Sequence, residues 1–333
     1  MTDVMTNSDT PKKVSPVAHY TDAGALIKIL SEGVLWASDA RYLNDRAEVE
    51  YGRSLVREIL TTRMKRADEI ETANCEMLRD QAEETFTFSI PLVTCFSRSI
   101  DSLGQWRGYG AGRMRFALEF EEAALRAIVK EQRFELVDCV YDLKKQVETL
   151  EMLIDEELSR LTGSGPRRRT DGSRLPNVGR WISIEKTQRR YPEYAAAQEE
   201  MEKSVAEGRP MAKEHVDYLC SMASGWTSFQ WELAKVLMRL KHPSFVAEDE
   251  VRAAKEQDED ASSPELVFRG TERAIVPFTE LRFRTGKDRG ALRAVRVGPC
   301  IDFDEAKPVV ERLLFQNFYD GVTVEPTLCT YRD

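Results

Sequence analysis

The chain has 333 residues, and 42% of them are hydrophobic, which is enough to bury a sizeable core in one large domain or two ordinary ones. Its 57 acidic and 48 basic residues leave a net charge of −9, which argues against a general nucleic-acid-binding protein. Every apolar run is shorter than the roughly 20 residues of a membrane span, and the N-terminal residues lack the apolar stretch of a secretion signal. We therefore expect a cytoplasmic protein with no membrane partner.

The cysteine and histidine content argues against a structural metal site. The chain has 6 cysteines, none of them in a C-x-x-C pair, and 3 histidines. Isolated cysteines in an intracellular chain are mostly small, buried apolar residues. We expect no bound metal.

The first elements follow a flexible N-terminal arm at residues 1–16. Residues 17–21 (VAHYT) favour a short strand. Residues 22–33 (DAGALIKILSEG) favour a helix that ends at Gly33. Residues 34–39 (VLWASD) indicate a second strand that runs into a turn.

Helical and strand patterns then alternate up to residue 120. Residues 47–82 are mainly helical, and the apolar run at 86–97 indicates a strand. Residues 113–120 (RMRFALEF) alternate as a strand does, and we expect them to pair with the run at 86–97.

The middle of the chain predicts a helical insertion at about 140–240. Apolar residues recur at helical spacing over 143–161 and 212–240, with a Gly-, Pro- and Arg-rich loop between them. The acidic stretch 248–265 is predicted to become a loop. Strands and one helix return after it, so residues 17–333 are predicted to form a single α+β domain with antiparallel pairing.

One short acidic pattern raises a question of function. In the segment KHPSFVAEDEVRAA, which is predicted to be a strand, alternate side chains project to the same side. Glu248, Glu250 and Arg252 would then share one face. Such a face is either a solvated sheet edge or a site.

Two other segments hold candidate ligand-binding side chains. His19 and Tyr20 adjoin the start of the first helix, although a lone histidine in a strand is more often structural than catalytic. Ser97, Trp106 and Tyr109 lie in a glycine-punctuated connection, which indicates either a ligand-binding loop or a surface turn.

Several common enzyme classes are excluded by their motifs. The sequence has no G-x-x-x-x-G-K-[ST] loop, no G-x-G-x-x-G at a strand–helix junction, no H-E-x-x-H and no G-x-S-x-G. The arginine cluster GPRRRTDGSR is either a phosphate contact or a solvated segment.

Taken in order, four stretches of the chain resemble a bacterial family known as domain of unknown function twenty-nine seventy-one. They are HYTDAGALIKILSEGVLWASDARYLNDRAEVEYG, VTCFSRSIDSLGQWRGYG with RFALEF, KHPSFVAEDEVR, and VRVGPCIDFDEAKPVVERLL with VTVEPTLCTYR. The resemblance spans about residues 17–332 and is weakest in the helical insertion.

More distantly, the order of these residues is similar to that of ADP-ribosyltransferases. This similarity implies an antiparallel split-sheet core, NAD as the substrate, and Glu250 and Glu248 as the catalytic carboxylates. Ser97 or Tyr109 would fill the role of the second-strand residue, and Ser38 competes with them for it. The full set of residues that the similarity assigns to NAD binding is His19, Tyr20, Thr21, Ser38, Asn44, Ser97, Trp106, Tyr109 and Arg252.

Cleavage of the bond between nicotinamide and ribose explains why carboxylates are expected at the catalytic positions. The reaction passes through an oxocarbenium-like state, so a carboxylate near the ribose stabilises the positive charge that develops. Glu250 fits this role, and Glu248 would accept a proton from the nucleophile.

The sequence therefore leaves three functions open. The first is a mono-ADP-ribosyltransferase or NAD glycohydrolase acting on a protein or nucleic-acid acceptor, as a toxin or phage-defence effector with a cognate regulator. The second is a non-catalytic module that binds a nucleotide or nucleic acid through the arginine-rich loop 167–174 and the aromatic residues. The third is a Mg²⁺-dependent nuclease that uses Asp45, Glu48, Asp101, Glu248 and Glu250.

Overall fold

The fold is taken from a computed structural model of the chain. It describes residues 16–42, 47–86, 89–109, 114–161, 203, 207, 229–258, 266–271, 274–299 and 301–330. The predicted N-terminal arm, Asn44, Asp45 and the arginine-rich loop 167–174 lie outside these residues.

The strands and helices are numbered in chain order. The strands are β1 (Val17–Asp22), β2 (Val34–Asp39), β3 (Ser89–Ser97), β4 (Arg115–Phe120), β5 (Glu135–Asp138), β6 (Glu250–Asp258), β7 (Val267–Gly270), β8 (Ile275–Arg282), β9 (Leu292–Val297) and β10 (Thr323–Pro326). The helices are α1 (Ala23–Glu32), α2 (Ala47–Met64), α3 (Glu69–Glu84), α4 (Leu103–Gly108), α5 (Glu122–Glu131), α6 (Leu143–Leu161) and α7 (Phe303–Gln316). Residues 229–237 are also helical, and Ala40–Tyr42 and Pro243–Glu248 form 3-10 turns.

The described strands form one largely antiparallel sheet. Its main path runs β10-β9-β4-β1-β3-β2-β8-β7, and β6 pairs with both β3 and β5 away from this path. Only the β10–β9 pair is parallel among the described strand pairs. This arrangement confirms the predicted α+β class with antiparallel pairing.

The sheet divides at β3. One edge of β3 pairs with β6 along its whole length, from Ser89 opposite Asp258 to Ser97 opposite Glu250. The other edge pairs with β1 at one end, through Ala18 opposite Ser97, and with β2 nearer the other end, through Ser38 opposite Val93. β1 and β2 therefore pair with different parts of the same edge of β3, and the sheet divides between them.

Alternation along the strands builds the main core on one face of the sheet. Leu118 and Phe120 of β4 and Phe96 of β3 are fully or almost fully buried there, together with Leu26 and Leu30 of α1. A smaller cluster on the opposite face contains Ala18, Tyr20, Trp106 and Ala117. Because side chains alternate, β1 and β4 contribute to both clusters.

The start and end of α1 follow the local sequence. The Asp22 side chain accepts a hydrogen bond from the N–H of Ala25 at 2.9 Å, which satisfies one donor of the first turn. Gly33 ends the helix at φ 71°, a conformation that glycine adopts without steric cost.

Several predicted elements are found where the sequence places them. These include β1, α1, β2, the helices within 47–82, the strand at 86–97, and the strands and helix after residue 266. The predicted partner of β4 is wrong, because β4 pairs with β1 and β9. Of the two overlapping predictions made for this part of the chain, the strand in KHPSFVAEDEVRAA is found over 250–254 but not over 243–248, which is a 3-10 turn. The acidic loop is wrong over 250–258, which forms β6.

The residues divide into two compact units. The first comprises residues 1–52, 86–146 and 237–333 and contains the whole described sheet. The second comprises residues 53–85 and 147–236, and its described part is helical, with Leu60, Leu78 and Leu150 buried. The expectation of one domain with a helical insertion stays a prediction.

No helix within the described residues is both long and apolar enough to cross a membrane.

Gly298 tests the packing between β4, β9 and α4. A Cβ at this position would lie 2.6 Å from the carbonyl oxygen of Arg115 and 3.0 Å from Cζ3 of Trp106. We expect Gly298→Ala to lower the free energy of unfolding by about 1 to 3 kcal/mol, because backbone and a buried ring must both shift. Urea denaturation measures the change.

The matched control is Gly104→Ala in α4. The nearest atom to a Cβ there is 3.7 Å away, so alanine fits, and its helix preference should stabilise the protein slightly. Equal stability of the Gly298→Ala variant and the wild-type protein would contradict the close packing described here.

Candidate functional site

A cluster of five charged side chains lies where β6 begins. The ammonium group of Lys241 contacts three carboxylates: Glu48 at 3.1 Å, Glu248 at 2.5 Å, and Glu250. The guanidinium group of Arg252 bonds Glu250 at 2.6 Å and Glu48 at 2.5 Å. The cluster therefore holds three negative and two positive charges.

The backbone around β6 explains how these side chains meet. β6 is an interior strand between β3 and β5, so Glu250 and Arg252 share a buried face instead of a solvated edge. Their side chains are only 5% and 3% exposed. Burial at this level requires that each charge be paired.

The prediction that Glu248 shares a strand face with Glu250 is wrong. Glu248 ends the 3-10 turn Pro243–Glu248, and Asp249 turns the chain into β6 with a left-handed backbone at φ 42°. Aspartate tolerates this conformation better than most residues. Lys241 brings the two carboxylates together instead, because it bonds both of them.

Hydrogen bonds to the main chain hold the cluster in place. The N–H of Glu250 donates to the hydroxyl of Tyr141 at 2.9 Å, and its carbonyl accepts from the N–H of Cys139 at 3.0 Å. The side-chain amide of Gln146 donates to the carbonyl of Lys241 at 2.8 Å. Charged side chains and backbone are thus positioned together, as a preorganised site requires.

The charges shift the pKa values of the cluster in opposite directions. Burial alone would raise the pKa of Glu250, but the positive charges of Arg252 and Lys241 outweigh it and lower this pKa to about 2. Burial would lower the pKa of Lys241, and the surrounding carboxylates raise it instead. Glu250, Lys241 and Arg252 therefore remain charged at neutral pH.

A pocket opens beside this cluster, on the part of the sheet where β1, β3 and β6 meet. Its volume is about 340 Å³ including the open mouth. The predicted site residues that line it are His19, Tyr20, Ser97, Tyr109, Glu248 and Glu250, and the other lining residues are Ala18, Cys95, Phe96 and Gln105. Residues separated by more than 200 positions in the sequence therefore face one cavity.

His19 lies at the division of the sheet. Its Nδ1 is 2.9 Å from the carbonyl oxygen of Cys95, and because a carbonyl only accepts, Nδ1 carries the proton. Burial lowers the pKa of His19, and the hydrogen bond to Cys95 opposes this shift only in part. The ring is therefore neutral at pH 7, with an unprotonated Nε2 that can accept a hydrogen bond.

The connection after β3 forms another wall of the pocket. The hydroxyl of Tyr20 donates to the carbonyl of Ser99 at 2.5 Å and accepts from the N–H of Ser102 at 3.1 Å. The hydroxyl of Ser97 donates to the carbonyl of Glu248 at 2.6 Å. These bonds tie the connection both to β1 and to the turn before β6.

Not every predicted ligand-binding residue faces the pocket. Trp106 is fully buried against Tyr20, with 4.7 Å between ring centroids, and its indole N–H donates to Asp101 at 2.7 Å. Thr21 and Ser38 are buried on β1 and β2 and do not line the pocket. Arg252 bonds the carboxylate of Glu250 and does not line the pocket either. Asn44 is outside the described residues.

Sequence reasoning missed Lys241, Gln105 and Cys95. Lys241 stands seven positions before Glu248, directly after an apolar helical segment, and only its burial reveals that it must be paired. Gln105 and Cys95 lie within the stretch TCFSRSIDSLGQWRGYG, but a glutamine or a cysteine at these positions does not by itself indicate a ligand-binding role. The structure identifies them through the pocket alone.

The carboxylates predicted for a metal site are engaged by other groups. Glu48, Glu248 and Glu250 surround Lys241, and Asp101 accepts hydrogen bonds from Trp106, Thr327 and Leu328. Within the described ranges, no group of three or more His, Cys, Asp or Glu side chains has the geometry to hold a metal ion.

Comparison with known proteins gives one family match. A family model described as a protein of unknown function (DUF2971) matches residues 105–253, which include Tyr109, Glu248, Glu250 and Arg252. This match supports the resemblance to that family over less than half of the chain. Neither curated proteins nor solved structures gave a match.

Glu250→Gln tests the charge cluster. The pKa of Glu250 is about 2 in the folded protein and 4.5 for an ordinary glutamate, so its charge stabilises the fold by about 3 kcal/mol at pH 7. Because the folded-state pKa is lowered, this stabilisation is present above pH 4.5 and is lost as the pH falls towards 2. We expect the variant to be less stable at pH 7, and the difference to shrink by pH 3.

Urea denaturation between pH 7 and pH 3 measures both effects. Glu280→Gln is the matched control, because Glu280 forms only an exposed pair with Arg282 and should contribute less than about 1 kcal/mol. A stability difference for Glu250→Gln that does not depend on pH would show that its charge is not the stabilising feature.

Proposed function

We propose that the protein is an NAD-cleaving enzyme that transfers ADP-ribose to a protein or nucleic-acid acceptor or to water. The observation that carries this proposal is the pocket, which gathers His19, Tyr20, Ser97, Tyr109, Glu248 and Glu250. Carboxylates, a neutral imidazole and aromatic rings in one cavity suit a ligand that has a ring, hydroxyl groups and a developing positive charge.

Glu250 would stabilise the charge that develops on the ribose. The glycosidic C–N bond breaks with its electron pair going to nicotinamide, which leaves as a neutral molecule, and positive charge builds on the ribose. A carboxylate that stays ionised and is fixed away from bulk water stabilises such a state more than the ground state. Arg252 and Lys241 keep Glu250 ionised and immobile.

Glu248 is the better candidate for the general base. Its side chain is 25% exposed, whereas that of Glu250 is 5% exposed. The nucleophile, a water or an acceptor hydroxyl, would attack the ribose carbon and lose its proton to Glu248. His19 would accept a ribose hydrogen bond at Nε2, and the Tyr109 ring would pack on nicotinamide.

The pocket volume limits how much of the substrate it encloses. The volume of about 340 Å³ includes open solvent at the mouth, so the enclosed space is smaller than this. The pocket would therefore hold at most the nicotinamide end of the dinucleotide, which is the part that reacts. The remainder of NAD would extend from the mouth.

A non-catalytic nucleotide-binding module is the second candidate. The observation that favours it is that both carboxylate oxygens of Glu250 already bond to Arg252, and one of them also to Lys241. A carboxylate held in this way suits fixed recognition of a hydroxyl group as well as catalysis. Trp106, one of the aromatic residues that suggested this candidate, is fully buried and does not support it.

Nicotinamide release from NAD by purified protein, with and without cell lysate as a source of acceptor, tests the proposal. We expect Glu248→Gln to lower the rate by at least about 100-fold, because it removes the general base. Its unfolding midpoint should stay near that of the wild type, since Glu248 is partly exposed. Glu280→Gln is the control and should release nicotinamide at the wild-type rate.

The result separates the two candidates. Binding of NAD without release by the wild-type protein in either condition would establish the binding module. Release at the wild-type rate by Glu248→Gln would remove Glu248 from the mechanism, and the same result for Glu250→Gln would contradict the proposal as a whole.

A further inference from the structure

The side chain of Gln105 places a buried amide group in the wall of the pocket. Gln105 is only 5% exposed, and it lies in α4. Its Nε2 is 3.5 Å from the carbonyl oxygen of Glu248, which is longer than the roughly 2.7 to 3.2 Å of an ordinary hydrogen bond. Because a carbonyl only accepts, Nε2 and not Oε1 faces Glu248.

The Oε1 atom of Gln105 accepts no hydrogen bond from the part of the chain that the structure describes. Buried amides without partners are costly, so this state requires an explanation. No atom of Gln105 is both closed to solvent and unpaired, in contrast to atoms of Gln81, Arg115 and Arg269. The free Oε1 atom can therefore be reached from the pocket.

The neighbouring residue Trp106 fixes the helix that carries this amide. Trp106 is fully buried, and its indole N–H donates to Asp101 at 2.7 Å. Its ring packs edge-on against Tyr20, with 4.7 Å between the centroids. Gln105 is thus held by rigid surroundings, as recognition by a single side chain requires.

An aromatic ring lies one helical turn from the amide. Tyr109 caps α4 four positions after Gln105, and its N–H donates to the carbonyl oxygen of Gln105 at 2.9 Å. Residues four apart on a helix share a face, and both of these side chains line the pocket. This wall therefore fits a flat ring that carries a group with both a donor and an acceptor.

The charge of the adjoining wall favours a neutral group over an anionic one. Glu248 and Glu250 line the pocket and belong to a cluster with three negative and two positive charges. A ligand carboxylate beside them would be repelled. A carboxamide has the required donor and acceptor and carries no charge.

We propose that Gln105 determines ligand specificity by pairing with a carboxamide group on an aromatic ring. Its Oε1 would accept an N–H of the ligand, and its Nε2 would donate to the ligand carbonyl in place of the long contact to Glu248. This inference deepens the proposed function, and it rests on that function for the identity of the ring as the nicotinamide of NAD.

Ligand-detected NMR titrations of the full-length protein with nicotinamide, 3-acetylpyridine and nicotinate test this assignment. The ketone keeps the ring and the carbonyl but has a methyl group instead of the amide nitrogen. We expect nicotinamide to bind at least about fivefold more tightly than 3-acetylpyridine, because the ketone leaves Oε1 unpaired. Nicotinate should bind more weakly than nicotinamide, since its carboxylate is repelled.

Gln105→Met removes both polar atoms at similar volume. Nicotinamide should then bind at least about fivefold more weakly, and its preference over 3-acetylpyridine should disappear. Gln316→Met is the matched control, because Gln316 is exposed at the end of α7 and should leave the preference unchanged. The inference is overturned if Gln105→Met keeps the wild-type preference or if nicotinamide does not bind the wild-type protein.

Thermal unfolding separates recognition from a structural role. If Gln105 only tied α4 to the turn before β6, Gln105→Met would unfold at a lower temperature and bind all three ligands more weakly by the same factor. We expect unfolding at the wild-type temperature or above it, because only one long contact is lost. A lower unfolding temperature with an unchanged preference for nicotinamide would contradict the assignment.

The inference and the proposed function can fail separately, because none of these three ligands is cleaved. A Gln105-dependent preference for nicotinamide, without nicotinamide release from NAD, would support the amide site and contradict NAD cleavage. Nicotinamide release from NAD without such a preference would overturn the amide site and leave the proposed function standing.

Discussion

The arrangement of charge around Lys241 is the constraint on which the rest of the site depends. An ammonium group almost removed from water is stable only if carboxylates surround it, and three carboxylates can approach one another only if cations separate them. Arg252 supplies the second cation. Removing Glu250, Arg252 or Lys241 leaves a buried charge without one of its partners, so the sequence is far less free to vary at these three positions than at the exposed ion pairs of the surface.

The division of the sheet turns this cluster into one wall of a cavity. If β1 paired with β3 along its whole length, backbone hydrogen bonds would close the space beside Cys95. Instead β1 leaves β3 after Ala18, and the His19 ring bonds the Cys95 carbonyl that β1 no longer reaches. The pocket therefore arises from an interruption of strand pairing, with a side chain replacing a lost backbone donor. Interruptions of this kind are common where a sheet carries a function.

Local patterns predicted most elements, and long-range pairing was the part that failed. The apolar spacing of α1 and its glycine stop were sufficient to place that helix, because both signals lie within a few residues of each other. The acidic composition of 248–265 indicated a loop, whereas the alternation in KHPSFVAEDEVRAA indicated a strand; tertiary pairing with β3 and β5 makes 250–258 a strand. Glu250 was recognised by its type and spacing. Lys241 could not be, because nothing in its neighbours shows that it is buried.

The sequence separation within the cluster has a kinetic consequence. Arg252 and Glu48 are 204 residues apart in the chain, so their contact closes a very long loop, and its entropy cost comes before any benefit from the ion pair. We expect such a contact to form late in folding, because the loop must close first. The cluster should then slow unfolding far more than it accelerates folding, and the lifetime of the native state would depend on it. A charge cluster built this way would stay assembled by a kinetic barrier as well as by its equilibrium stability.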